Sequence, residues 1–356
     1  MSRIGSFYLA WLMATVVCPV ASVAESLEWE KLPPIPDRLG FAGPFVGSHN
    51  GALLVAGGAN FPDKLPWEGG TKVWYDTVFV LEKADGTWKK AGKLPRPLGY
   101  GVSLTSKDGV LCIGGSDAQR HYAETFLIRC EKAQVRTEPL PPLPRPCANF
   151  CGALVGQVAY VAGGLETASA TNTLKTFWSL DLSLPRPQWK ELDPWPGPAR
   201  MLATAAALDG GFFLASGADL TVDESGKTVR RYLKDAYLYK PGKGWKRLAD
   251  LPRPAVAAPT PAPVLHKFSV LILGGDDGSL VNYQPLDQHP GFPRSIVAYS
   301  AKADTWDACG EMPAAHVTTC LTAWNGRLII PSGEVRPGIR SPAVWSIKAR
   351  RGCLSQ

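Results

Sequence analysis

Six times along the chain a short apolar run ends in a small residue followed by glycine. The runs are LLVAGG (Gly57, Gly58), LCIGG (Gly114, Gly115), AYVAGG (Gly163, Gly164), FFLASG (Ser216, Gly217), LILGG (Gly274, Gly275) and LIIPSG (Ser332, Gly333). The first small residue of each pair recurs at intervals of 49 to 58 residues. A period of that length, built from short strands and closed by a turn, describes small sheets arranged around an axis, each unable to bury its faces alone. Such a chain folds as a toroid, and its function belongs on one face of one disc.

The remaining strands follow the same period. An aromatic-rich run comes after each pair: DTVFVL, TFLIRC, TFWSLDL, DAYLYK, SIVAYS and AVWSIK. A further strand carries Trp88, Trp189, Trp245 or Trp306, and LPRP steps stand at Leu94–Pro97, Leu143–Pro146 and Leu251–Pro254. Repeat 2 has Val135 where the others have tryptophan. Alternating β-branched and aromatic residues bounded by glycine and proline are strand signals, and no helical period competes with them. The sixth repeat lacks its tryptophan strand, whereas SLEWEKLPPIP (Ser26–Pro36) near the N-terminus supplies Trp29 and a proline-rich step. The expected fold is therefore all-β: a six-bladed kelch-type β-propeller whose last blade is closed by the N-terminal strand, which pairs the otherwise open edges. Residues 25–356 are expected to form this single domain, because a closed repeat array is one cooperative unit.

Residues 1–24 read as a signal peptide: Arg3, an apolar stretch from Phe7 to Val20, and Ser22-Val23-Ala24 before Glu25. The expected location is thus periplasmic or secreted, with no membrane span, since the apolar run is short for one. Cys18 sits in a poor lipoprotein box. The seven other cysteines (Cys112, Cys130, Cys147, Cys151, Cys309, Cys320, Cys353) are odd in number, which leaves at least one thiol unpaired within the chain, and their spacing fixes no pairing. The formal charge of +7 contains no Lys/Arg run of the kind that binds nucleic acid, but it suits a small anionic ligand. The five histidines are scattered, so neither a metal centre nor a serine-histidine dyad is supported.

With strands lettered a to d from the axis outward, b–c loops and d–a connections emerge on one face. The b–c loops are the long ones: Ala59–Lys72, Ser116–Glu124, Leu165–Leu174, Ala218–Lys234 and Asp276–Pro293. Long loops on a rigid scaffold are where binding residues concentrate. The sixth b–c connection is short. In SGEVRPGIR, Glu334 follows the inner strand, Arg340 lies six residues on, and Pro337-Gly338 bends the chain between them. A carboxylate beside a fixed cation fits a general base with an anion anchor, or else a structural loop ion pair. Arg96, Asn60 and Lys72 on the same face are candidate substrate-binding residues. The alternatives are a structural Pro-Arg habit shared with Arg145 and Arg253 for the first, and solvated loop positions for the others.

SGEVRPGIR resembles the G-E-(A/V)-(K/R)-P-G-(L/I)-R segment of the N-acetylneuraminate epimerases, the sialic acid mutarotases, which are six-bladed kelch propellers. Gly40–Asp63 and Pro95–Asp117 resemble two further segments of that family. Here the GFAG segment precedes the GEVRPGIR segment, so the resemblance is to the family's cyclically permuted branch. It implies Glu334 as general base, Arg340 as the partner that fixes the substrate carboxylate or a developing oxyanion, and anomer interconversion of a small acidic sugar without cofactor. The fifth b–c loop is much shorter than the large insertion associated with that blade in the family. Two other readings share the fold: a non-catalytic exported module binding glycan or protein, and a sialidase-type glycosidase. For the latter the S-x-D-x-G-x-T-W boxes are missing, since Asp85-Gly86-Thr87-Trp88 has the wrong spacing.

Overall fold

The computed structural model describes residues 27–349. The expected signal peptide, Cys18 and Cys353 lie outside the described residues. Six four-stranded antiparallel sheets succeed one another along the chain. Blade 1 comprises Phe45–His49, Ala52–Ala56, Thr77–Leu81 and Lys89–Lys93. Blades 2 to 5 occupy 102–140, 151–191, 204–248 and 264–311. Blade 6 takes Thr322–Trp324, Arg327–Pro331 and Val344–Ala349 from the C-terminal end, and its outer strand is Leu27–Leu32. Leu27 pairs with Ala349 and Leu32 with Val344 in unbroken antiparallel register, so the expected closure is observed. The only helical elements among the described residues are two single 3-10 turns, Pro66–Glu68 and Leu286–Gln288.

Each glycine-terminated run is strand b of its blade. Ala52–Ala56 and Gly211–Ala215 are buried at every position because blades cover both of their faces. Apolar side chains from adjacent blades form the cores: Leu54 and Val80 of blade 1, for example, share a cluster with Val110 and Ile128 of blade 2. The tryptophans latch blade to blade. Their indole N–H groups donate to a backbone carbonyl of the preceding blade's outer connection: Trp88 to Pro33, Trp189 to Pro141, Trp245 to Asp193 and Trp306 to Ala249, at 2.8–2.9 Å. The glycine after strand b is needed where the chain turns toward the axis. Gly57 has φ of 63°, and a Cβ there would collide with the Leu98 carbonyl oxygen.

A circuit of backbone hydrogen bonds surrounds the axis. Gly43, Tyr100, Asn149, Leu202, Ala257 and Thr318, one from each blade, all hold φ between 53° and 62°. Each amide donates to the carbonyl of the preceding member at 2.7–2.8 Å, and Gly43 donates to Thr318 to close the circle. Five non-glycine residues in the left-handed region carry strain of about 1 kcal/mol or more apiece, held by the closed circuit. The circuit makes the floor on which the functional face stands.

Candidate functional site

The residue after each small-residue–glycine pair bridges back to the residue just before a circuit member: Ala59 to Ala42, Ser116 to Gly99, Leu165 to Ala148, Ala218 to Met201, Asp276 to Val256 and Glu334 to Val317. Every blade therefore delivers one residue to the same place above the floor. In blades 5 and 6 that residue is an acid. Glu334 is held on both sides of its peptide, its amide donating to Val317 at 2.8 Å and its carbonyl accepting from Val317 at 2.9 Å.

From Glu334 the chain forms a tiny ribbon, Glu334–Arg336 against Ile339–Arg340, turning at Pro337-Gly338. Glu334 is directly opposite Arg340 in register, and side chains so paired face the same way. Arg340 Nη2 donates to Glu334 Oε1 at 2.7 Å, with the side chains 3% and 18% exposed respectively. The arginine is packed away on its other side, its guanidinium carbon 4.6 Å from the centre of the Phe61 ring. Arg340 Nε and Nη1 and the Tyr100 hydroxyl are buried without hydrogen-bond partners.

A cavity of 420 Å³ opens on the axis beside Glu334, within the roughly 300–1,000 Å³ typical of small-molecule sites. Its floor comes from the circuit, through Tyr100, Asn149, Leu202, Ala257 and Thr318. Its walls come from the loops, through Lys72, Arg230, Tyr232, Asp276, His289 and Phe292 among others. Two blades from the ribbon, Tyr232 on the blade 4 hairpin (Ala218–Val222 with Thr228–Tyr232) donates to Asp276 Oδ2 at 2.9 Å.

The sequence-derived candidates divide. Glu334 and Lys72 line the cavity. Arg340 reaches it only through Glu334, because its guanidinium is covered by Phe61 and the carboxylate. Asn60 is not a cavity residue: it is buried, its amide N–H₂ donates to Gly40 O (2.9 Å) and Asp37 Oδ1 (3.3 Å), and its Oδ1 accepts from Tyr75 (2.8 Å). It ties the blade 1 loop to the incoming chain. Arg96 is likewise drawn away, making a two-point contact with Glu124 at 2.7 and 3.1 Å and lying over the Tyr122 ring. Neither Asn60 nor Arg96 lines the axial cavity, and both side chains are engaged by protein groups. Tyr100, Arg230 and Tyr232 were not among the candidates, and Asp276 was a candidate only by its place on this face. For Asp276 a signal existed, since it follows Gly275 as Glu334 follows Gly333.

Burial pushes the Glu334 carboxyl above its ordinary range, against the opposing pull of Arg340 and Lys72. The Lys72 ammonium is pushed the other way, below its ordinary value, first by burial and then by Arg340, with Glu334 opposing. Its Nζ faces three aromatic rings, at 5.2 Å from the centre of Tyr100, 5.5 Å from Trp74 and 5.7 Å from Phe61. Tyr100 is pushed up to about 12 by burial and by the Glu334 charge, so its hydroxyl keeps its proton. Among the described residues no cluster of His, Cys, Asp or Glu side chains forms a metal-binding group, and Cys112, Cys130, Cys147, Cys151 and Cys320 are buried free thiols. No helix among them is long and apolar enough to cross a membrane.

The family model for N-acetylneuraminate epimerase matches residues 12–135, which include the Gly40–Asp63 and Pro95–Asp117 segments; the Glu334 ribbon lies beyond the match. The chain is 29% identical over 227 residues to the N-acetylneuraminate epimerase of Haemophilus influenzae (strain PittEE), covering 56% of this chain and 57% of the relative. To the protein of the same name from Salmonella enteritidis PT4 it is 42% identical over 110 residues, 27% of this chain and 28% of the relative. The chain thus spans little more than half the length of the first of these relatives and less of the second. Both comparisons and the six-bladed fold agree with the resemblance carried by the sequence motifs.

Proposed function

We propose, with the similarity to N-acetylneuraminate epimerases as premise, that this chain is an isomerase that interconverts the anomers of free N-acetylneuraminate or a related acidic sugar. The observation that carries the proposal is the Glu334–Arg340 pair set against an axial cavity. A carboxylate held in place by its own backbone, oriented by a covered guanidinium and facing a pocket of sugar size, is equipped to act as a base. Glu334 takes the proton from the anomeric hydroxyl, the bond from the anomeric carbon to the ring oxygen opens, and reclosure on the other carbonyl face yields the second anomer as the proton returns. Arg340 orients the carboxylate and balances its charge rather than gripping the substrate. Lys72 and Arg230 supply the positive potential that draws an acidic sugar into the cavity.

Freshly dissolved N-acetylneuraminate, followed by the NMR signals of its two anomers, tests the reading. The purified protein should speed equilibration over the buffer rate. Glu334→Gln, which keeps shape and hydrogen bonding but cannot take the proton, should slow it by roughly 10²–10⁴-fold with the fold intact. If the wild-type protein accelerates no free sugar, the isomerase reading fails and the cavity is a binding site.

A further inference from the structure

Ring opening moves two protons, and Glu334 accounts for one. As the bond between the anomeric carbon and the ring oxygen breaks, its electron pair stays on the ring oxygen, which needs a proton from a second group. Arg340 is unsuited, since its guanidinium is committed to Glu334 and covered by Phe61. The Tyr100 hydroxyl is buried in the floor, and that burial pushes it up to about 12, so it holds its proton too firmly for the task. Lys72 is different. It enters the cavity from the first b–c loop, where Asn60 and Val73 pair across a two-residue ribbon and leave Phe61 and Lys72 side by side just beyond it. Its ammonium lies among three ring faces, with no ion pair among the described residues.

We propose that Lys72 is the general acid of the reaction, giving its proton to the ring oxygen while Glu334 removes the one on the anomeric hydroxyl. This assignment rests on the isomerase reading above. The anomeric O–H pair becomes the carbonyl bond, the ring C–O pair passes to the ring oxygen, and that oxygen takes the Nζ proton, leaving a neutral amine. After rotation about the adjacent carbon–carbon bond the freed hydroxyl attacks the other carbonyl face. It returns its proton to Lys72, and Glu334 protonates the new anomeric oxygen, so atoms and charge balance over the cycle.

The surroundings favour that exchange. The groups facing Lys72 are Glu334 and Arg340 on the blade 6 ribbon, Tyr100 on the floor, and the Phe61 and Trp74 rings of its own loop. Burial raises the base and lowers the acid, which brings both toward neutral pH where proton transfer runs fastest. The two groups are also coupled. The Glu334 charge is what helps Lys72 keep its proton, and it vanishes when Glu334 becomes protonated, so uptake at one promotes release at the other.

Lys72→Arg separates this role from that of a plain anion anchor. Arginine keeps the positive charge and the aromatic contacts but does not release its proton in the working range. The expected result is a kcat lowered about 10²-fold or more, a KM within a few-fold of wild type, and loss of the alkaline limb that wild type shows below the ordinary lysine value of 10.5. Lys72→Ala should be slow as well and should regain rate with added methylammonium but not with guanidinium. That rescue decides the matter if the arginine variant folds poorly. Wild-type kcat in Lys72→Arg, or equal rescue by guanidinium, overturns the assignment and leaves Lys72 as a charge that binds substrate. An active wild type with a slow Glu334→Gln supports the isomerase reading whatever Lys72 does, whereas an inactive wild type takes both proposals down.

Discussion

His316 and Glu334, near the axial ends of the connections into and out of the inner strands of blade 6, are buried groups whose protons are moved in opposite senses. His316 Nδ1 donates to the Ser332 carbonyl at 2.6 Å, and burial pushes the imidazole down to about 4 from its ordinary 6.5. The unfolded chain takes up a proton there below pH 6.5, whereas the folded chain does so only near 4. The stability this neutral histidine contributes is therefore complete above 6.5 and is lost as pH falls through the window, by an amount on the order of 3 kcal/mol. Glu334 has the reverse sign: its folded carboxyl keeps its proton above the usual 4.5, so stability falls as pH rises out of that range. Replacing His316 with asparagine should flatten the loss between pH 6.5 and 4, as read by denaturant unfolding at several pH values. An unchanged slope would mean that the histidine is not the group responsible.

At the scale of elements, the blade 6 ribbon matters most for the site, and Gly338 at its turn controls its seat. Gly338 has φ of 76°, and a Cβ added there would lie 2.8 Å from Pro66 Cγ and 3.0 Å from the Trp67 ring. The ribbon thus leans directly on the 3-10 turn Pro66–Glu68 of the blade 1 loop. Gly338→Ala combines left-handed strain with this collision, so the ribbon must shift and carry the Glu334–Arg340 pair with it. Misplacing a catalytic group by an ångström costs up to about 10²-fold, whereas the backbone strain alone costs about 1 kcal/mol. The proposed mutarotation should therefore slow by roughly ten- to a hundredfold while the melting temperature moves by only a few degrees. A wild-type rate in this variant would show that the ribbon tolerates displacement.

For the whole molecule, closure depends on two circles of bonds. The inner one is the six-membered backbone circuit from Gly43 to Thr318. The outer one is completed by Leu27–Leu32 on Val344–Ala349, reinforced by an edge-to-face contact of Trp29 with Trp345. Deleting Leu27–Leu32 removes all six register pairs and bares the edge of Val344–Ala349, and an unpaired strand edge invites association with other chains. The truncated protein should melt lower and elute as larger species in size-exclusion chromatography. Unchanged melting and an unchanged elution volume would show that the inner circuit closes the ring unaided.

The fold was legible in the sequence because each blade carries its instructions locally. Strand b ends at a small residue and glycine, the outer tryptophan marks the latch, and the tryptophan missing from the last repeat reappears as Trp29. Glu334 and Arg340 were legible for the same reason, since a Pro-Gly bend between residues six apart leaves them little choice but to face each other. Asn60 and Arg96 stand on the expected face, but their side chains turn to protein partners rather than to the axial cavity. What claims them is Asp37, Gly40 and Tyr75 in one case and Glu124 in the other, and no local pattern announces those partners. Tyr100, Arg230 and Tyr232 entered the site only through tertiary structure. The sequence by itself determined the period, the closing strand and the ribbon that pairs Glu334 with Arg340. Which side chains reach the axis, and how far burial moves their protons, was decided when chain segments as distant as Phe41 and Ser332 were brought into contact. Desolvation and direction toward an axis are properties of six blades together, and no single repeat contains them.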